Sequence, residues 1–229
     1  MPCGRQNGIG RPQPMTSSEL SRLLEVLFDA ERAVRDAHNR LTSGDSDDVV
    51  RLLDETVRGA AHLNDDERSL RLVRISELLG EMHGPRVIDL LVDVLASDDP
   101  DARRAAGEAL SEQAWDRFKD VALGIERALA RLPEDSPALL ELPYILAEIP
   151  EPGALKLLSE FLKHPAAEVV AEAIQALVER VDPQAIELLE PLADDKRKVQ
   201  IEDDEGASGE ATIGELVAEA RTMWEENQP

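Results

Sequence analysis

The chain has 229 residues, of which 25 are Lys or Arg and 48 are Asp or Glu, for a net charge of −23. Binding to a nucleic-acid backbone or an anionic membrane surface needs clustered positive charge, so the field of the whole molecule opposes both. A basic protein partner is compatible with it. Hydrophobic residues make up 42% of the chain but aromatic ones only 3%, so the core is expected to be Leu, Ala, Val and Ile packed in thin helix-on-helix layers.

One cysteine, Cys3, excludes an internal disulfide and a Cys-based zinc site, and fits a reducing, cytoplasmic setting. No apolar run reaches the roughly 20 residues needed to span a bilayer. The N-terminus also lacks the apolar segment of a signal peptide. Residues 1–14 hold Gly and Pro without a periodic apolar pattern. They read as a disordered leader, 1–15, with Met15 a candidate start, ahead of a single domain over 16–229.

The first helix is predicted from the capping chemistry of Thr16-Ser17-Ser18-Glu19 to about Arg40. Leu20, Leu23, Leu24, Leu27, Ala30 and Val34 share one face of it. Thr42-Ser43-Gly44-Asp45 ends it, and a second helix follows from about Asp47 to His62. Residues 47–80 read as a diverged helix pair.

Thereafter the chain repeats. The segment Pro85–Leu95 matches Pro152–Leu162 at an offset of 67, and Pro183–Ala193 a further 31 on. Ile88, Leu155 and Ile186 correspond, as do Leu91, Leu158 and Leu189, with proline each time in the first turn, where its missing N–H costs nothing. Ala102, Ala106, Ala109 and Leu110 match Val169, Ala173, Ala176 and Leu177 at the same offset of 67, which marks a second helix in each unit. Twice a unit of about 33 fills that offset, so residues 117–149 supply the unit between. Val121, Leu123, Ile125 and Leu129 are assigned to one of its helices and Leu139, Leu142, Leu146 and Ile149 to the next, with Pro133, Pro137 and Pro143 altering the turn.

In the last unit the second helix, marked by Ile213, Val217 and Ala220, lies 13 residues later than the repeat requires. The insertion near 197–213 alternates Val199 and Ile201 with polar neighbours. It is predicted to form a small β-hairpin turning at Glu205-Gly206 or at Ser208-Gly209.

The run Pro85-x-x-Ile88-x-x-Leu91, then Asp98-Asp99, then Ala102-Arg103 leading to Ala106 and Ala109-Leu110, resembles the HEAT repeat, in the short form shared with phycobilisome-lyase-like proteins. Later units depart from it, with Val170 in place of the arginine and His164-Pro165 in the turn. The resemblance implies an all-α fold: an α-α superhelix of about five helix pairs plus the N-terminal helix. It also implies that the second helix of each pair lines the concave side.

On that side Arg68, Arg71 and Arg74, at every third position, and then Arg103 and Arg104, would form a basic strip. Glu141, Glu148, Glu168, Glu172 and Glu179 occupy the corresponding later helices. All of these residues except Glu148 are the candidate partner-binding positions, unless Asp65, Asp66, Glu67 and Glu77 neutralise the arginines locally. Trp115 and Trp224 follow second helices and are expected to cap or pack between repeats.

His38, His62, His83 and His164 form no metal-binding spacing, and His83 and His164 read as exposed turn residues. No phosphate-binding glycine loop or nucleophile motif is present, so no cofactor and no catalysis are expected. The function expected is a non-catalytic protein-protein interaction scaffold or adaptor. An alternative is an acidic immunity or inhibitor protein for a basic enzyme. An enzyme reading, bilin lyase or DNA glycosylase, follows from the resemblance alone; a glycosylase would need a basic, aromatic groove that this composition does not supply.

Overall fold

Proline or an N-capping side chain opens most of the helices, and these local signals set where the chain turns. The computed structural model describes residues 15–44, 46–180, 183–202 and 208–226. The leader inferred for residues 1–15 lies outside them except for Met15. The chain divides into two compact units, one ending at Gly44 and one beginning at Asp45.

The first unit contains a single helix, α1 (Ser17–Thr42). Thr16 and Glu19 close a reciprocal capping box at its start, as their spacing predicts. No residue along α1 is buried, so Leu20, Leu23, Leu24, Leu27 and Val34 all stand exposed.

The second unit is a stack of helix pairs. Its elements are α2 (Ser46–Ala60), α3 (Asp65–Gly80), α4 (Pro85–Leu95), α5 (Pro100–Arg131), α6 (Pro137–Ala147), α7 (Pro152–Phe161), α8 (Ala167–Glu179), α9 (Pro183–Leu189) and α10 (Ile213–Glu226). Between α9 and α10 come a short 3₁₀ turn and two strands, β1 (Lys198–Glu202) and β2 (Ser208–Thr212).

Pairing runs α2 with α3, α4 with the first half of α5, the second half of α5 with α6, α7 with α8, and α9 with α10. The second members lie against one another in order: α3 on α5, α5 on α6, α6 on α8, α8 on α10. The α2–α4–α5–α7 contacts form the other layer. Between the layers Leu79, Leu90, Leu91, Leu95, Leu110, Leu139, Leu142, Leu146 and Phe161 are fully buried. This is the all-α solenoid the repeat implies.

The chain runs from the second pair into the third without a loop. Helix α5 continues through Arg117, whose φ of −142° and ψ of 47° leave the helix for one residue and change its direction. Trp115, two residues before this bend, is 61% exposed, so it does not pack between repeats as expected; Trp224 is half-buried. Past the bend the buried face is Val121, Gly124, Ile125 and Ala128, at helical spacing. Leu123 is exposed, because a two-residue step from Val121 rotates about 200° to the opposite face, and Leu129 is half-buried at the edge of the buried stripe. Gly124 admits close approach of α4, since a Cβ there would stand 2.2 Å from Ile88 Cγ2. Pro143 is a buried residue inside α6 and does not alter the turn; Pro137 opens that helix.

Two polar side chains tie consecutive repeats together. Gln113 Nε2, buried in α5, donates to the carbonyls of Leu79 (2.9 Å) and Met82 (3.1 Å) at the end of α3. Arg180 Nη1, at the end of α8, donates to Leu146, Ala147 and Ile149 at the end of α6, the last at 2.6 Å. The two positions are 67 residues apart, the repeat offset itself. Each adds a donor to carbonyls at a helix C-terminus, where the Leu79 and Leu146 carbonyls otherwise accept only from backbone N–H groups of the same helix end. The intermediate position is Ala147, and there the preceding inner helix runs on through Arg117, leaving no such end to cap.

The predicted hairpin is present, with Val199 opposite Ala211 and Ile201 opposite Gly209. Ser208 and Gly209 therefore belong to a strand and not to a turn; Glu205 and Gly206 lie outside the described residues. Val199 is buried against α8, and Arg197 donates to the carbonyls of His164 (2.7 Å) and Pro165 (3.0 Å). The insertion is thereby fastened to the preceding repeat. Thr212 and Glu215 form a second capping box at the start of α10.

Replacing Gln113 with Leu keeps the volume but takes the side-chain donor from the Met82 carbonyl and leaves the Leu79 carbonyl with only the backbone N–H groups of its own helix end. The expected cost is about 1–3 kcal/mol in urea unfolding. An unchanged midpoint would show that the carbonyls find other partners.

Candidate functional site

The arginines of the candidate strip are local in their pairing. Arg68 meets Asp65 (2.6 Å), Arg71 meets Glu67 (2.6 Å) and Arg74 meets Glu77 (2.7 Å), all within α3. A three-residue step falls 60° short of a full turn, so the row winds around the helix. Arg68 accordingly lines a crevice with Ala60, Leu72, Val94 and Asp98, while Arg71 and Arg74 are exposed. Arg104 is likewise held on its own helix by Glu108 (3.1 Å) and Asp101 (3.7 Å). Exposed pairs of this kind hold little energy, but they cancel the positive field the strip would otherwise project.

Arg103 behaves differently. It donates to the Ser97 carbonyl (3.1 Å) and reaches Glu141 of the next repeat, 3.8 Å away. The two residues face each other across a cleft of about 290 Å³ between α5 and α6, with Arg104, Tyr144, Ile145 and Glu148 also lining it. Enclosing small-molecule pockets begin near 300 Å³ and are mostly apolar. This cleft is at that lower bound and edged by charge, a shape suited to one inserted side chain of a partner.

Tyr144, the only tyrosine of the chain, links the cleft to the following repeat. Its hydroxyl donates to Glu172 Oε2 of α8 at 2.5 Å. Burial pushes its pKa well above the ordinary tyrosine value, and the hydrogen bond to Glu172 and the charges of Glu172, Glu179 and Glu141 push it further. Glu172 thus contacts the phenol, Glu141 and Glu179 act on it through charge alone, and Arg103 and Arg104 line the same cleft as Tyr144 and Glu141. Glu168, in the first turn of α8, and Arg68, Arg71 and Arg74 are not part of this group.

Among the described residues no group of His, Cys, Asp or Glu is placed to hold a metal ion. His83 is exposed, while His164 is half-buried and its Nδ1 accepts from the Ala166 N–H. Among the described residues no helix is long and apolar enough to cross a membrane.

Residues 140–202, from α6 through β1, match the family model of HEAT repeats. No curated protein and no solved structure matches the chain. That stretch is similar to HEAT repeats, and the helix pairs before and after it continue the same stacking. HEAT repeats generally serve as protein-interaction scaffolds and are generally non-catalytic.

Sequence reasoning passed over Tyr144, Gln113 and Arg180. Tyr144 was signalled only by its rarity and by Glu141 and Glu148 at three and four residues' distance on the same helical face. Gln113 and Arg180 were signalled by the repeat offset, at positions where the apolar match had already ended.

The single tyrosine makes its environment directly measurable. A phenol whose folded pKa is raised contributes its full stabilisation below the unfolded value of about 10 and loses it as the pH climbs above that value. Near-ultraviolet titration of the folded chain should place Tyr144 ionisation well above 10, falling to about 10 in urea, with Glu172→Gln lowering the folded value part of the way. An ordinary value in the folded chain would contradict the Tyr144–Glu172 contact.

Proposed function

We propose that the chain is a non-catalytic protein-protein interaction scaffold or adaptor whose partner lies along the face of the second helices and presents basic side chains to Glu141, Glu172 and Glu179. The observation that carries this reading is the Tyr144–Glu172 hydrogen bond beside an open cleft that Glu141 lines, with Glu179 on the same helix as Glu172. A Lys or Arg entering there would find both negative charge and a hydroxyl acceptor. The neutralised row on α3 supports the same polarity, because positive residues there are already paired while the later helices keep an excess of acid. The net charge of −23 would speed encounter with a basic partner. Arg103 and Arg104, lining the same cleft, would fix register by repelling a misplaced cation, and Glu168 at the start of α8 extends the acidic face. The single cysteine accords with a cytoplasmic setting, where such a scaffold would work among reduced proteins.

The test is affinity capture from the native cell at about 0.1 M and about 1 M salt, which shortens the screening length from about 10 Å to about 3 Å. Basic partners are expected to be released by salt. The triple substitution Glu141→Gln, Glu172→Gln, Glu179→Gln is expected to weaken capture about tenfold or more, equivalent to at least about 1.4 kcal/mol. Capture that ignores both salt and the substitutions would refute the acidic face as the docking surface.

A further inference from the structure

We propose that α1 is a self-association helix that pairs antiparallel with α1 of a second copy of this chain. Its 26 residues carry an unbroken heptad, Leu20, Leu27, Val34 and Leu41 at one seam position and Leu23, Ala30 and Ala37 at the other. A heptad sustained over three repeats is what a partner helix imposes, whereas a helix that covers a globular core follows a broader 3.6-residue stripe; exposed Leu24, Val26 and Phe28 widen the apolar surface of the first half of α1 beyond the seam. Helix α4 shows the second pattern, with seven of its eleven residues buried. In α1 none is buried: of the seven seam residues Leu20, Leu23, Leu27 and Val34 are between 42% and 53% exposed, and Leu41 is half-buried.

The seam is self-complementary in one orientation. Turned about a two-fold axis, Leu20 of one copy faces Ala37 of the other, Leu23 faces Val34, and Leu27 faces Ala30. Every layer then sets a large side chain against a smaller one, which fills the interface evenly. In parallel alignment the two Ala30 side chains would face each other, as would the two Ala37, and both layers would be thin. Charge agrees with the antiparallel choice. Glu19 lies beside the seam at the start of the helix and Arg40 at its end, so each Glu19 meets the partner copy's Arg40. Both are ionised and exposed: Glu19 is held below the usual carboxylate range by the Thr16 N–H and hydroxyl, and Arg40 keeps only a 3.8 Å contact to Asp36. Opposed helix dipoles favour the same alignment.

A helix of 26 residues is about 39 Å long. Packed along that length, two copies bury an area at the small end of specific interfaces, so association in the micromolar range is expected.

Sedimentation of the full chain from about 1 μM to about 200 μM should show the mass rising from 25.2 kDa toward twice that value. The double substitution Leu23→Glu, Leu27→Glu should hold it at the monomer mass while the thermal transition of residues 45–229 is retained. A nitroxide at Ser17→Cys, in a Cys3→Ser background, should report label pairs about 35 Å apart, because antiparallel pairing sets the two starts at opposite ends. A chain that stays monomeric at every concentration, whether α1 folds onto its own repeats or waits for a different protein, overturns the proposal. A dimer with labels closer than about 20 Å overturns the antiparallel pairing.

Discussion

A helix that ends against its neighbour presents backbone carbonyls to a surface that water cannot reach, and donors from the next repeat complete their hydrogen bonding. Gln113 does this for the end of α3 and Arg180 for the end of α6. Burial of Leu and Ala between two helix layers drives the repeats together without regard to register, since the hydrophobic effect has no direction. The capping donors do have direction. Each reaches back about one repeat and fixes which turn of one inner helix meets which turn of the next. Where α5 runs through Arg117 without ending, the equivalent position is Ala147, and no donor is needed.

This division explains which parts of the fold were legible in the sequence. The proline-led helices and their apolar registers could be read directly, because Pro at a first turn and Leu at helical spacing are local signals that recur at offsets of 67 and 31. The hairpin was legible from the alternation at Val199 and Ile201 and from the misfit of the last repeat. The bend at Arg117 was not, because no Gly or Pro marks it and both flanking segments are good helix. The face of the helix after it was misread at Leu123 for a related reason: with Leu and Ala on all sides, apolarity alone did not single out the buried stripe.

The charged surface divides in the same way. Neutralisation of Arg71 and Arg74 could be read from Glu67 and Glu77 three or four residues away on the same helix. The contact of Tyr144 with Glu172 spans 28 residues and two repeats, so it exists only once the inner helices are stacked. Long-range polar contacts of this kind are where a repeat architecture acquires individuality, since the packing residues are shared by every unit and the groups on the exposed face are not. The acidic cluster on α6 and α8 and the seam along α1 belong to different units of the chain, and each depends on a separate set of residues.

The central claim is that residues 45–229 form a nearest-neighbour stack held in register by donors from one repeat to the last. Native-state hydrogen exchange on Arg180→Met tests it most directly. The amides of α6, α7 and α8 are expected to lose protection together, with those of α2, α3 and α4 keeping theirs, because stability in a solenoid is a sum of neighbouring interfaces. Equal loss of protection from α2 through α10 would contradict the account, showing one cooperative core instead of a stack.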